Sequence, residues 1–172
     1  HTTTSIGGTS ALHNTTDINA SIVSEDNKLG IAVFGQNTEK DAWDANGDGF
    51  TELSRISGQT IGFRGYVKTG LYSKVTAEYH HLQEFRRGGD NLHLPPHEAM
   101  IAEQTEHGIN TGGVKFDVFS KDNKHRFNTF ASIQHIVRDS YYGAGMDPNA
   151  YGKTDDLTWV GGAQYIYRMA EC

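Results

Sequence analysis

The stretch Asp44-Ala45-Asn46-Gly47-Asp48-Gly49-Phe50-Thr51-Glu52 sets oxygen-bearing side chains at every second position and then a glycine. Such spacing lets a loop curl around a hard cation, since calcium takes carboxylate and amide oxygens and Gly permits the sharp turn. An EF-hand also requires Glu at the twelfth loop position, which is Arg55 here. The stretch is therefore not an EF-hand, and Glu52 has to supply the remaining carboxylate. Two readings stand side by side: a structural calcium on Asp44, Asn46, Asp48 and Glu52, or a polar Asn/Asp/Gly turn that needs no metal.

The nine histidines raise a transition-metal question, above all His93, His97 and His107 with Glu98, Glu103 and Glu106 nearby. Their spacing matches no zinc signature, and they are read as solvated loop residues. Aromatic and charged residues gather in two further places. Phe85-Arg86-Arg87-Gly88-Gly89-Asp90 can meet an anionic or aromatic group, with a solvated loop as the default. Tyr141, Tyr142, Asp147 and Tyr151 share a glycine-rich loop and can face a ligand, whereas Trp159, Tyr165 and Tyr167 suit a girdle at a lipid–water boundary. No nucleophile elbow, phosphate loop or dinucleotide fingerprint occurs, so nothing in the sequence argues for an enzyme.

The chain that must position these residues has 172 residues, enough for one domain. With 15 Lys+Arg against 21 Asp+Glu and a net charge of −6, it has no basic stripe for a nucleic-acid backbone. The single cysteine, Cys172, excludes an internal disulfide framework. The longest apolar run covers residues 31–34, far short of a spanning helix, and His1-Thr2-Thr3-Thr4-Ser5 is not a signal peptide. An apolar fraction of 36% and a mean hydropathy of −0.57 fit a soluble globule. They fit equally a barrel that alternates lipid-facing and water-facing residues.

Apolar residues recur with period two, so strands are predicted over 16–24, 29–36, 57–68, 72–82, 109–119, 126–138 and 157–168. The connections alternate between a few residues and roughly 18 to 25, which in an antiparallel meander puts short turns on one rim and long loops on the other. Outer-membrane barrels are arranged in this way. The competing architecture is a soluble β-sandwich or lipocalin-like barrel, stabilised by calcium and binding carbohydrate or protein.

Several segments in order resemble one family: residues 44–52, Glu84-Phe85-Arg86-Arg87-Gly88-Gly89-Asp90, Pro95-Pro96-His97-Glu98-Ala99 with Ile101-Ala102-Glu103-Gln104, Ser140-Tyr141-Tyr142-Gly143, and Asp147-Pro148-Asn149-Ala150-Tyr151-Gly152. Together they resemble the barrel of a TonB-dependent outer-membrane receptor of the Bacteroidetes type. The resemblance implies an all-β, antiparallel up-and-down meander that forms part of a 22-stranded transmembrane barrel with a plugged lumen. It further implies import of a scarce nutrient, such as cobalamin, a ferric siderophore or haem, across the bacterial outer membrane. The implied partners are outer-membrane lipid, TonB acting through a plug that these residues do not include, the small-molecule ligand, and a surface lipoprotein as a further candidate. Seven strands cannot close such a barrel, so the chain is expected to be a fragment of a longer polypeptide or part of a larger particle. In corrinoid receptors of this family a calcium-ordered loop assists capture, and the Asp44, Asn46, Asp48 loop is similar. Val75, Ala77, Tyr79, Val114, Phe116 and Val118 are expected to face lipid, with Lys74, Glu78, Lys115 and Asp117 facing the lumen.

Overall fold

A computed structural model describes residues 13–169; Cys172 lies outside them. Seven strands run β1 (His13–Val23), β2 (Leu29–Lys40), β3 (Arg55–Gly70), β4 (Ser73–Gly89), β5 (Ile101–Phe119), β6 (His125–Ala144) and β7 (Tyr151–Tyr167). They form one sheet in sequence order, each antiparallel to the next. The described residues contain one short 3-10 turn at Pro96–Glu98 and no helix long and apolar enough to cross a membrane.

Two of the three tight turns close by the same local chemistry. Ser24-Glu25-Asp26-Asn27-Lys28 and Ser120-Lys121-Asp122-Asn123-Lys124 each put Asn at a positive φ, 53° for Asn27 and 55° for Asn123, which Asn tolerates better than most residues. Ser24 Oγ donates to Asp26 Oδ1 at 2.7 Å and accepts the Leu29 N–H at 3.0 Å. Ser120 repeats both contacts, with Asp122 and with the His125 N–H. The Ser24 hydroxyl and the Lys28 side chain hold Asp26 below the ordinary carboxylate range, and Ser120 does the same for Asp122.

Residues paired across an antiparallel ladder point to the same face, so the register decides which side chains meet. The in-phase apolar residues of all seven segments fall on one face. Val33 opposes Phe63, Phe63 opposes Tyr79, Val114 opposes Ala131, and Ile133 opposes Trp159. Among the described residues no second layer covers this face: Ile18, Ile61, Ile133, Leu157 and Trp159 are all exposed, Trp159 by 78%.

The opposite face carries most of the sheet's ion pairs and amide contacts; His135–Asp155 at 2.8 Å and Lys153–Asp139 at 3.7 Å stand on the apolar face, toward the long-connection rim. Arg64 lies 3.6 Å from Glu78, Asp117 lies 3.1 Å from Lys115 and 3.5 Å from Arg126, and Asn128 Nδ2 donates to Gln164 Oε1 at 3.2 Å. Where this face lacks a side chain, an aromatic ring fills the gap. Phe34 lies over Gly62 and reaches His80, with ring centroids 5.2 Å apart, while Tyr66 lies over Gly30 and Phe130 over Gly162.

Strands β4 to β7 extend well past the predicted limits at one rim, β2 extends less, and β3 gains only two residues at each end. The long connections shrink to residues 41–54, 90–100 and 145–150, against 24–28, 71–72 and 120–124 at the other rim. The connections 41–54 and 90–100 remain long at their rim, whereas 145–150 is only one residue longer than the turns 24–28 and 120–124. Residues 85–87, 141–142 and 151, expected in loops, stand on strands instead. Beyond the apolar band the alternation is lost: β4 ends Glu84-Phe85-Arg86-Arg87-Gly88-Gly89, and Arg87 and Tyr141 are buried by the connections rather than marked by a period-two pattern.

Candidate functional site

Adjacent strand residues point to opposite faces, and this divides the candidate ligand residues. Arg86 and Tyr142 stand on the polar face. Phe85, Arg87, Tyr141 and Tyr151 stand on the other, above the apolar band, and Asp147 sits in the connection 145–150.

On the polar face Arg86 pairs with Thr105 and Glu103 with Tyr142 across the ladders. Arg86 Nε donates to Glu84 Oε1 at 2.7 Å and Nη2 to Oε2 at 3.3 Å, a two-pronged clamp that holds the guanidinium flat. Ser54 Oγ, from the first long connection, donates to Glu103 Oε1 at 2.7 Å. Arg86, Glu103, Thr105 and Tyr142 line an open depression of about 140 Å³. Tyr142 is mostly exposed there, so its ring is free to stack on a planar group. The sequence reading misses Glu84 and Thr105 as neighbours of Arg86. The spacing of Glu84 and Arg86, two apart and hence on one strand face, is the signal that finds the first.

The residues of the opposite face do a different job. Arg87, 3% exposed, donates from Nη1 to the Gly88 carbonyl at 2.7 Å and from Nη2 to the Asp90 carbonyl at 3.4 Å. Tyr141, 1% exposed, donates its hydroxyl to the Asp147 carbonyl at 3.0 Å and sets its ring 4.9 Å from that of Tyr151. The Tyr151 hydroxyl lies 2.7 Å from His97 Nδ1. Ala99, Ala102 and Tyr141 form the buried apolar cluster of the described residues, with Ala150 packed against them. These side chains fasten the connections 90–100 and 145–150 to the sheet, a packing task that leaves Arg87 and Tyr141 no open surface for a ligand. Asp90 completes the fastening by accepting the N–H groups of Ile101 at 2.9 Å and Met100 at 3.3 Å, which lower its pKa, Ile101 most.

The first long connection is pinched at its base, where Trp43 and Leu53 exchange backbone hydrogen bonds at 2.9 and 3.1 Å. Inside it Asp44 Oδ1 accepts the Gly47 N–H at 2.7 Å and Oδ2 the Gly49 N–H at 2.8 Å. The Gly49 N–H chiefly holds the Asp44 carboxyl below its ordinary pKa. Asp48 Oδ1 accepts the Phe50 N–H at 2.8 Å, and Glu52 Oε2 accepts the Ala45 N–H at 2.7 Å. Gly47 and Gly49 adopt φ of 76° and 86°, where a side chain would strain the backbone. Asp44, Asn46, Asp48 and Glu52 thus share one tight loop. Among the described residues no three His, Cys, Asp or Glu side chains converge as a metal group, the histidines 93, 97 and 107 included.

Comparison with protein-family models, with curated proteins and with solved structures finds no match to this chain.

Proposed function

We propose that this chain is a stretch of wall from an outer-membrane barrel that imports a scarce nutrient, in the manner of a TonB-dependent receptor. The observation that carries it is the uncovered apolar face of a single meander, backed by a face of ion pairs and amides, with long connections gathered at one rim. An apolar surface this large is costly in water and natural against acyl chains. Closure into a full barrel, of about 22 strands in this class, supplies partners for the free edges of β1 and β7. Tyr165 and Tyr167 stand at the short-turn end of the band, where an amphipathic ring prefers the interface.

In this reading the ligand enters from the long-connection rim and meets Arg86 and Tyr142 on the lumen side. TonB acts through a plug contributed by other residues, and a surface lipoprotein sits at the same rim as the ligand. The loop 44–52 takes a structural calcium ion through Asp44, Asn46, Asp48 and Glu52, supported by the alternating oxygen side chains and the two glycine turns. The described residues form one sheet, so nothing in them favours a sandwich.

The test is fluorescence of Trp159 in vesicles made with brominated phospholipid. Strong quenching is expected for Trp159, and quenching no greater than that of Trp43 in the long connection refutes the membrane placement.

A further inference from the structure

Within the strands, register places four arginines on the polar face: Arg64, Arg86, Arg126 and Arg138. Arg64 is within ion-pair distance of Glu78, Arg86 of Glu84 and Arg126 of Asp117. Arg138 differs. Among the described residues no carboxylate lies within ion-pair distance of it, and its recorded contact is a long hydrogen bond from Nη2 to Thr154 Oγ1 at 3.4 Å. Its Nε is buried with no hydrogen-bond partner. Arg126 Nε shares that condition, but the Arg126 guanidinium also stacks over Phe119, 5.0 Å from the ring centroid.

A guanidinium is always charged and carries five donors in a fixed fork. With Nε buried and Nη2 making only a long contact to Thr154, the Nη end of this half-buried side chain is the part with donors to spare. His107 lies beside it on β5 and Thr154 on β7. Along β6, Ser140 and then Tyr142 follow on the same face; Ser140 is paired with Thr105, so Arg138 stands one same-face step below the depression lined by Arg86, Glu103, Gln104, Thr105 and Tyr142. Arg86 is already clamped by Glu84 and offers little unspent charge; Arg138 supplies it.

We propose that Arg138 is the anion-binding residue of this face, and that it receives the carboxylate of a small ligand whose remainder lies against Tyr142 in the adjoining depression. The assignment rests on the polar face being the ligand-facing wall. A carboxylate suits the Nη fork because two parallel N–H···O bonds match its planar geometry.

The test is calorimetric titration of the full chain, folded in detergent micelles, with citrate and separately with inorganic phosphate. Saturable citrate binding is expected, weakened at least tenfold in Arg138→Met, which keeps the length of the apolar stem. Arg138→Lys, which keeps the charge and loses the fork, is expected to bind several-fold more weakly than wild type; it carries the test if Arg138→Met does not fold. Arg126→Met is expected to bind as wild type. The proposal is overturned by absent citrate saturation in the wild type, by unchanged binding in both Arg138 variants, or by an equal loss in Arg126→Met. Phosphate binding as tight as citrate overturns the carboxylate assignment. A chain that stays monodisperse without detergent counts against the membrane reading alone, because the same titrations then run in plain buffer.

Discussion

Ile133 sits on the apolar face of β6, opposite Gly112 and Trp159, and is 51% exposed. The apolar residues of β6 on this face run from Phe127 to Val137, ten steps along the strand. At about 3.3 Å per residue and a tilt of about 40°, that is roughly 33 Å of strand and roughly 25 Å of depth, the height of a barrel's lipid-facing band. Ile133 lies six steps from Phe127 and so close to the middle. Replacing it by Arg is expected to cost about 2–4 kcal/mol in a bilayer, or roughly 30- to 700-fold in the folding equilibrium. Ser132→Arg, one residue away on the polar face, is expected to cost less than about 1 kcal/mol, because lumen substitutions leave the lipid contact untouched. Without lipid, Ile133→Arg is an ordinary surface change within about 0.5 kcal/mol. Denaturant titration of both variants in phospholipid vesicles decides the matter. Costs for Ile133→Arg and Ser132→Arg that agree within about 0.5 kcal/mol would refute the reasoning.

Further expectations follow from the packing and the loops. Gly62→Ala drives a methyl against both the Phe34 ring and the Tyr79 carbonyl and is expected to cost about 1–3 kcal/mol by overpacking; in a Phe34→Ala background the cost should fall but not vanish, since the Tyr79 carbonyl stays in place, as a double-mutant cycle reads directly. Tyr141→Phe removes the hydroxyl that meets the Asp147 carbonyl and should cost about 1 kcal/mol in equilibrium unfolding, with Tyr141→Ala nearer 3–5. The Asp90 carboxyl has a folded pKa below its unfolded value, so its stabilising effect is present above about pH 4 and is lost as pH falls through the depressed value. Amide exchange at Ile101 should therefore quicken relative to intrinsic rates at low pH in the wild type and lose that dependence in Asp90→Asn. Calcium titrated into wild type should release heat that disappears when Asp44, Asn46 and Asp48 are replaced by Ala; equal heats remove the site.

Periodicity located all seven strands because their lower halves carry apolar side chains on one face and mostly polar ones on the other. Val75, Ala77 and Tyr79 against Lys74, Thr76 and Glu78 need no further information to be placed. Above that band the signal fails for a physical reason. Glu84 to Gly89 breaks the alternation, with Arg87 following Phe85 on the face of the band, Gly88-Gly89 reads as a loop, and what extends the strand is the backbone ladder to residues 102–107. The same failure hid the division of the candidate site. Arg86-Arg87 and Tyr141-Tyr142 look like patches when drawn in a loop, yet on a strand each pair is split between faces. One member of each is buried by the connections, and a single sequence offers no sign of which. Arg138 escaped notice because its lack of a carboxylate partner is a fact of register alone.

The matched turns around Asp26 and Asp122 have a consequence for assembly order. Each is closed by serine, aspartate and backbone groups within a few positions, needing neither lipid nor distant contacts. Pairing can therefore start at these corners and zip upward, carrying the apolar stripe into alignment. The opposite rim, tied by contacts that span tens of positions such as Thr51 to Gly89 and His97 to Tyr151, is the last to set. The sheet thus templates its short-turn rim first and finishes the opposite rim afterwards.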